Sequence, residues 1–219
     1  MLHYLQELFQ ALDLSSLTAA LLRAAAVLLC LTVHETCHGL AALALGDPTA
    51  KSMHRLSLNP LRHIDWLGLA MMFAAGFGWA KPVPVNPNYF RKPKEGMAVT
   101  ALAGPISNLL LAILALGASK VIYLYAHYSA GMDVLFTWLL YTVAPMSVGL
   151  GVFNLIPFPP LDGSKVLAVL LPDNAYGTLM RYERYGIVIL LVLSWLGLGG
   201  NLIGSAIYGV YEFLFDLIY

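Results

Sequence analysis

The residues most able to do chemistry are two histidines and a glutamate inside a long apolar stretch. His34 and His38 are four residues apart, and Glu35 follows the first of them. On a helix, residues four apart share one face, so both imidazoles can bind one metal ion. A carboxylate beside such a pair can take a proton from water during hydrolysis, and Glu35 is placed to do so. The spacing therefore predicts a metal-dependent hydrolase.

A third ligand is predicted from a second motif, Leu161-Asp162-Gly163, which ends another apolar run far along the chain. Catalytic zinc ions usually have three protein ligands and one open position, and Asp162 would complete such a set. Cys37 is an alternative third ligand, but three ligands from one helical turn would crowd a tetrahedral ion. Two imidazoles and a carboxylate favour one zinc ion over other divalent metals.

The composition is that of a membrane protein. Hydrophobic residues make up 59% of the 219 residues and charged residues 11%, and the mean hydropathy is +0.75. A water-soluble domain of this size could not cover so much apolar surface, so the bilayer must act as a solvent. The balance of 12 basic and 12 acidic residues gives no reason to expect a nucleic-acid partner.

Four apolar stretches are long enough to cross a bilayer as helices, which need about 20 residues each. They are residues 17–45, 97–125, 135–156 and 187–215. The predicted fold class is therefore an all-α polytopic membrane protein with about four transmembrane helices, and the predicted domain organisation is a single domain over residues 1–219.

Two further segments are expected to touch the membrane without crossing it. Residues 1–14 alternate apolar and polar side chains, which predicts a short interfacial helix. Residues 66–80 are apolar but too short to span, and a proline-rich stretch follows them. They are predicted to form a hairpin or re-entrant segment that dips into the membrane, with an interfacial loop as the alternative.

Lysine and arginine are concentrated in the connections 46–96 and 157–186. The positive-inside tendency makes both connections cytoplasmic and directs both termini outward. At about 1.5 Å per helical residue, His38 lies ~12 Å and His34 ~18 Å inside the cytoplasmic end of the first span. Asp162 follows the third span at the same side, so the two halves of the metal site are expected to meet in the cell membrane near its cytoplasmic face.

Two asparagines lie in the apolar spans, where an amide needs a partner. Asn108 and Asn154 could each donate to a developing oxyanion or hold the substrate backbone. The alternative for both is a hydrogen bond between helices. The remaining histidines are expected to be solvated residues of loops or interfaces, and only His63 is of functional interest.

These motifs together resemble the site-2 protease family, the intramembrane zinc metalloproteases of peptidase family M50. His34 to His38, residues 104–108 and residues 154–163 match its three signature blocks in the family's order. The resemblance implies zinc held by His34, His38 and Asp162, Glu35 as the catalytic base, and Asn108 and Asn154 as aids to substrate or transition-state binding.

The resemblance also implies a single-span membrane protein as substrate. Residues 55–86 are similar to the region that forms membrane-dipping strands in the family, which would present an edge to an unwound substrate by strand addition. The chain resembles the compact bacterial and archaeal type without a PDZ domain. Its oligomeric state is not predicted.

Two other functions remain open from the sequence. A membrane transporter or sensor could use the same cluster to pass or detect zinc. An inactive scaffold could bind membrane segments, although the intact set of His34, Glu35, His38 and Asp162 argues against it.

Overall fold

The computed structural model describes residues 14–68, 80–126, 129–196 and 200–219. Over these residues the chain is helical, and strand pairing is limited to one isolated antiparallel bridge between Ile64 and Ala80. The helices are α1 (Leu14–Ala44), α2 (Thr49–Ser52), α3 (Pro93–Tyr125), α4 (Ala130–Trp138), α5 (Ala144–Asn154), α6 (Asp162–Ala168), α7 (Asp173–Trp195) and α8 (Gly200–Ile218). A π turn, Leu139–Val143, joins α4 to α5. The predicted all-α class is confirmed.

Four helical segments of the described chain are long and apolar enough to cross a membrane. They are Leu17–Ala44, Pro93–Tyr125, Ala130–Asn154 and Gly200–Ile218. The first three confirm the spans predicted at 17–45, 97–125 and 135–156.

The fourth predicted span, residues 187–215, is wrong as a single helix. Helix α7 ends at Trp195 and α8 begins at Gly200, with the intervening residues 197–199 outside the described chain. The sequence has glycines at positions 197, 199 and 200, and glycine costs about 1 kcal/mol relative to alanine in a helix interior, so this apolar run is a poor candidate for one helix. The fourth candidate span is α8, and α7 is a separate helix.

The helices α1, α3, α5 and α8 pack around a core of mainly small side chains. Its buried members include Ala26, Cys30, Ala112, Ala115, Leu116, Val143, Ala144, Val148 and Leu214. Small residues let helix backbones approach closely where lipid supplies no hydrophobic drive for association. At one end of the bundle the Trp138 Nε1–H donates to the Leu22 carbonyl over 2.8 Å and fixes α4 against α1.

The connection between α1 and α3 folds back onto the end of α1. Gly46 turns the chain with a φ of +102°, a conformation that glycine adopts without strain. Further along, the Lys81 N–H donates to the His63 carbonyl over 2.9 Å, beside the Ile64–Ala80 bridge. These contacts close the base of the predicted hairpin, residues 66–80, most of which lies outside the described residues, as do residues 1–13 of the predicted interfacial helix.

The expectation that His63 is solvated is wrong. His63 is 2% exposed, and its Nε2–H donates to the Ser57 carbonyl over 2.7 Å. The Thr36 hydroxyl donates to the same carbonyl over 3.1 Å. His63 is therefore a buried residue that braces the loop after α2 from within, and Thr36 joins the same carbonyl of that loop to α1.

The start of helix α6 packs closely against the backbone at the end of α5, and Gly163 allows this close approach. A Cβ at this position would lie 2.2 Å from the Leu155 carbonyl oxygen and 2.6 Å from that of Ile156. Both contacts are with backbone, which cannot move aside as a flexible side chain can. Gly163 therefore sets the position of Asp162, its neighbour.

Substitution Gly163→Ala is expected to destabilise the fold by about 1–3 kcal/mol, the usual cost of overpacking. Gly177→Ala is the matched control, because a Cβ there meets nothing within 4 Å; it should leave stability unchanged or raise it by up to about 1 kcal/mol. Thermal unfolding of the two purified variants in detergent measures the difference. Equal unfolding temperatures would contradict the close packing of α6.

Candidate active site

Helix α1 brings the two predicted histidines together on its buried face. His34 is 4% exposed and His38 9% exposed. Their rings lie edge to face, with centroids 4.5 Å apart and an interplanar angle of 89°. This arrangement leaves both Nε2 atoms free to face a common point.

Asp162 meets that point from the first turn of α6. Its Oδ2 lies 3.1 Å from the His34 Nε2 and 3.2 Å from the His38 Nε2. Zinc ligands about 2.0–2.1 Å from a tetrahedral centre are separated by about 3.3 Å, so the observed spacing suits such an ion. Among the described residues these three side chains are the group that could hold a metal ion, and Cys37 is not part of it.

The protonation of His38 is fixed by a backbone carbonyl. Its Nδ1 lies 2.7 Å from the Thr100 carbonyl oxygen. A carbonyl can only accept, so Nδ1 must carry the proton and donate it. In the neutral imidazole, the Nε2 atom of His38 then presents a lone pair towards Asp162.

The protonation of His34 is fixed by Asn108. The His34 Nδ1 lies 2.8 Å from the Asn108 Oδ1. The amide nitrogen of Asn108 must face the other way, because it donates to the Cys30 carbonyl over 3.4 Å and to the Ser147 hydroxyl over 3.3 Å. Asn108 therefore accepts from His34 Nδ1–H, and in the neutral imidazole the Nε2 of His34 also presents a lone pair.

This position corrects the expectation that Asn108 contacts the substrate or an oxyanion. Its side chain is 0% exposed, and both of its polar atoms are used between α3, α1 and α5. The alternative of an interhelical hydrogen bond describes what the structure shows, with the addition that the partner is His34. Asn108 thus orients the candidate ligand His34 through its Nδ1, the ring nitrogen that does not face Asp162.

The donor set fits a cation. Two imidazole lone pairs and an aspartate oxygen converge on one point, and the two imidazole N–H groups are already used elsewhere. A proton could be shared by only one imidazole nitrogen and the aspartate oxygen. A metal ion placed among the three atoms would bind all of them. Hydrogen bonds from the far nitrogen of each imidazole are the usual support for histidine ligands.

Glu35 lies beside this group and faces a cavity of about 450 Å³. One of its carboxylate oxygens, Oε2, accepts a hydrogen bond from the Val83 backbone N–H over 2.9 Å. Asn154 is also in the cavity wall, and its amide nitrogen donates to the Leu150 carbonyl within the same helix over 3.0 Å. The structure thus brings Glu35 and Asn154 to one cavity with the three candidate ligands.

Several contributors to the site have no signal in the sequence. Thr100 and Val83 act through backbone atoms, so their side-chain types say nothing about their roles. Lys165 also faces the cavity, and its ammonium group pairs with Glu183 of α7 over 3.1 Å. Its position three residues after Asp162 placed it near the site, but no motif marked it.

Gly104 permits α3 to approach the histidines. A Cβ at this position would lie 2.5 Å from the His38 Nε2 and 2.7 Å from the His34 Cε1. Any side chain on Gly104 would therefore displace both rings.

The model of Peptidase family M50 matches residues 22–196 of the chain. The chain belongs to peptidase family M50. This membership confirms the resemblance to the site-2 proteases, and with it a zinc metalloprotease that uses zinc as cofactor and carries membrane-spanning helices. No solved structure matches this M50 protein significantly.

Curated relatives of this M50 protein carry names of the same kind. It is 38% identical over 174 residues to "Putative zinc metalloprotease YwhC" of Bacillus subtilis, covering 77% of each chain. It is 32% identical over 194 residues to "Putative zinc metalloprotease Rip2" of Mycobacterium tuberculosis, covering 87% of this chain and 71% of the relative. Identity to the Rip2 of Mycolicibacterium smegmatis is 29% over 171 residues, which cover 76% of this chain and 63% of that relative.

Substitution Gly104→Ala is expected to lower zinc affinity about 10–100-fold, because the added methyl group would displace both imidazoles from the positions in which their Nε2 atoms face Asp162. Gly117→Ala in the same helix is the matched control, since a Cβ there meets nothing within 4 Å. Zinc bound per chain after dialysis against buffered zinc measures the effect. Wild-type zinc content in Gly104→Ala would contradict the geometry.

Substitution Asn108→Ala is expected to weaken zinc binding by a similar factor of about 10–100, because the His34 Nδ1–H loses its acceptor. Ser107→Ala is the control: the Ser107 hydroxyl is also buried, but it donates to the Gly104 carbonyl rather than to a histidine. Competition with a chromophoric chelator gives both affinities. A larger loss in Ser107→Ala than in Asn108→Ala would contradict the role given to Asn108.

Proposed function

We propose that this metalloprotease hydrolyses peptide bonds in or near the transmembrane segments of membrane-tethered proteins. In this proposal His34, His38 and Asp162 hold the zinc ion and Glu35 is the general base. The observation that carries it is the convergence of three lone-pair donors on one buried point of a helix long and apolar enough to span the membrane. A hydrolytic centre at such a place favours a substrate that is itself in the membrane.

Zinc in such a ligand set supplies a Lewis acid that activates water and polarises a carbonyl group. The protein's contribution to the proton transfer comes from Glu35. Its Oε2 is held by the Val83 N–H, which leaves Oε1 to take the proton from water and deliver it to the leaving amine. Fixing one oxygen of the base reduces the reorganisation needed when the proton moves.

The substrate is proposed to bind as an extended chain. The cavity has about the volume of one helical turn, which is ~10 Å wide and ~5.4 Å long, so it takes only a short piece of substrate. The peptide groups of a helix are shielded by their own hydrogen bonds, so cleavage requires that piece to unwind. Apolar side chains such as Leu31, Met97 and Phe153 form much of the wall. Pro82, Val83 and Val85, in a segment that is neither helix nor strand, border the same cavity. This segment could pair with an unwound substrate by strand addition. Asn154, which also lines the cavity, is the candidate for holding the substrate backbone or the developing oxyanion.

The protein is proposed to lie in the cell membrane with this cavity towards the cytoplasm. The basic connections 46–96 and 157–186 support that orientation, because lysine and arginine favour the cytoplasmic side. Asp162 and the C-terminal end of α1 both adjoin these connections. Water would then reach the site from the cytoplasmic side.

A zinc transporter or sensor is the second candidate, because a buried ligand cluster also suits transient metal binding. The position of Glu35 favours hydrolysis. Glu35 lies outside the three-ligand group, borders the cavity and is oriented by a backbone N–H. A second carboxylate, held beside the three candidate ligands without joining them, suits a general base better than it suits a transport path.

Substitution Glu35→Gln is expected to abolish most cleavage while one zinc ion per chain stays bound. The loss should be about 10²–10⁴-fold, the usual contribution of a general base. The measurement is cleavage of a panel of single-span substrates by purified protein, with and without a chelator, alongside zinc content.

Glu95→Gln is the matched control, because Glu95 is an exposed carboxylate that pairs with Lys92 at the start of α3. It should cleave at the wild-type rate. Equal cleavage by wild type and Glu35→Gln would refute the mechanism. Unchanged zinc transport by Glu35→Gln without any cleavage by wild type would support the transporter instead.

A further inference from the structure

A buried carboxylate outside the candidate metal group lies at the turn after α1. Asp47 is 0% exposed. Its Oδ1 accepts from the Thr49 backbone N–H over 2.9 Å and from the Thr49 hydroxyl. Its Oδ2 accepts from the Asn86 backbone N–H over 2.7 Å. Asp47 therefore joins the end of α1 to a segment 39 residues further along the chain.

That segment, Pro82-Val83-Pro84-Val85-Asn86, is named here the strap. Proline has no backbone N–H, so only three residues of the strap can donate a backbone hydrogen bond. Two of these donors bind carboxylates at the α1 side: Val83 binds Glu35 and Asn86 binds Asp47. The strap thus lies between the candidate catalytic base and Asp47.

The strap has little freedom between these two bonds. The two bonded residues, Val83 and Asn86, are three residues apart, which limits their separation to about 10 Å, and the φ of Pro84 is fixed by its ring. Val83 is buried, and its side chain lies near Gly39, where an added Cβ would come within 3.0 Å of the Val83 Cγ1. The Arg55 guanidinium holds the start of the strap by donating to the Lys81 carbonyl over 2.9 Å. A displacement of Asn86 would therefore also displace Val83 and its N–H group.

A carboxylate suits this position better than an amide. Burial alone would raise the pKa of Asp47, but hydrogen bonds from the Thr49 hydroxyl and from the Asn86 and Thr49 N–H groups outweigh it and lower the pKa. Each oxygen accepts from a different backbone N–H. An asparagine has one acceptor oxygen, so it would leave one of these N–H groups facing another N–H group.

We infer that Asp47 is a positioning residue for the catalytic base: by holding Asn86 it keeps the strap in place and the Val83 N–H on Glu35. This inference rests on the proposed function, because it assigns Asp47 to the reaction that Glu35 performs. In the described part of the chain, Asp47 is neither one of the candidate ligands nor one of the residues that line the cavity. It acts through Asn86, Val83 and Glu35 in turn.

The variant Asp47→Asn tests the inference, with Thr49→Val as the matched control. Thr49→Val removes the hydroxyl bond to Asp47 and keeps the bond to Asn86. Asp47→Asn should lower kcat about tenfold, as for other residues that orient a reacting group. KM for a single-span substrate should stay within about twofold, and one zinc ion per chain should remain. Thr49→Val should keep kcat within about twofold of wild type.

Hydrogen exchange gives a readout that does not depend on activity. Peptides covering the strap should exchange about tenfold faster in Asp47→Asn, and at the wild-type rate in Thr49→Val. A Glu35→Asp background tests the coupling, because the shorter carboxylate reaches the Val83 N–H less well. In the Glu35→Asp background, Asp47→Asn should lower kcat by less than about twofold. This non-additivity is expected if both residues act through the contact between Glu35 and the Val83 N–H.

Failure of this inference can be told apart from failure of the proposed function. If wild type cleaves and Asp47→Asn has the same kcat and the same exchange, the inference is overturned and the proposed function stands. If Asp47→Asn loses zinc and activity in the same proportion, Asp47 has a structural role only and the inference is again overturned. If wild type shows no chelator-sensitive cleavage, the proposed function falls and the inference falls with it.

Discussion

The site depends on the cost of placing imidazole N–H groups and carboxylates inside an apolar helix bundle. Each such group needs a partner, because lipid and packed side chains offer none. The two Nδ1–H groups are satisfied by the Thr100 carbonyl and the Asn108 amide oxygen. Those two bonds direct both Nε2 lone pairs to the oxygen of Asp162, where a bound cation would complete the balance.

The packing of the other helices allows the candidate ligands to come together. The candidate ligands come from α1 and α6, and His34 and Asp162 are 128 residues apart in sequence. Helix α3 contacts both helices and carries the orienting groups. Close approach of these backbones needs positions without side chains. Gly104 makes room for the two imidazoles and Gly163 makes room for the turn that carries Asp162. Gly151 lets α5 approach the Pro105 carbonyl of α3 in the same way.

Much of this could be predicted from the sequence, because spacing and apolar length follow simple rules. The helical face shared by His34 and His38, the distant aspartate and three of the four spans were predicted correctly in position. The fourth span was wrong because a long apolar run was counted as one helix although it contains a cluster of glycines. The predicted helix over residues 1–14, apart from Leu14 in α1, and most of the predicted hairpin lie outside the described chain.

What the sequence could not supply are the contacts made by backbone atoms and the direction of side chains. Asn108 is notable in its span, yet only its neighbours Cys30 and Ser147 show that its oxygen faces His34 rather than the cavity. His63 resembles a loop histidine until its burial is known. Thr100 and Val83 contribute a carbonyl and an N–H group, which every residue other than proline can offer.

We propose that one zinc ion is held by two imidazoles from α1 and the Asp162 carboxylate from α6. Zinc K-edge X-ray absorption of the purified, zinc-loaded protein measures these ligands. We expect nitrogen and oxygen neighbours at about 2.0–2.1 Å, with the outer-shell scattering of two imidazoles and no sulfur. A sulfur neighbour at about 2.3 Å, which would make Cys37 a ligand, or a spectrum without two imidazoles would contradict it.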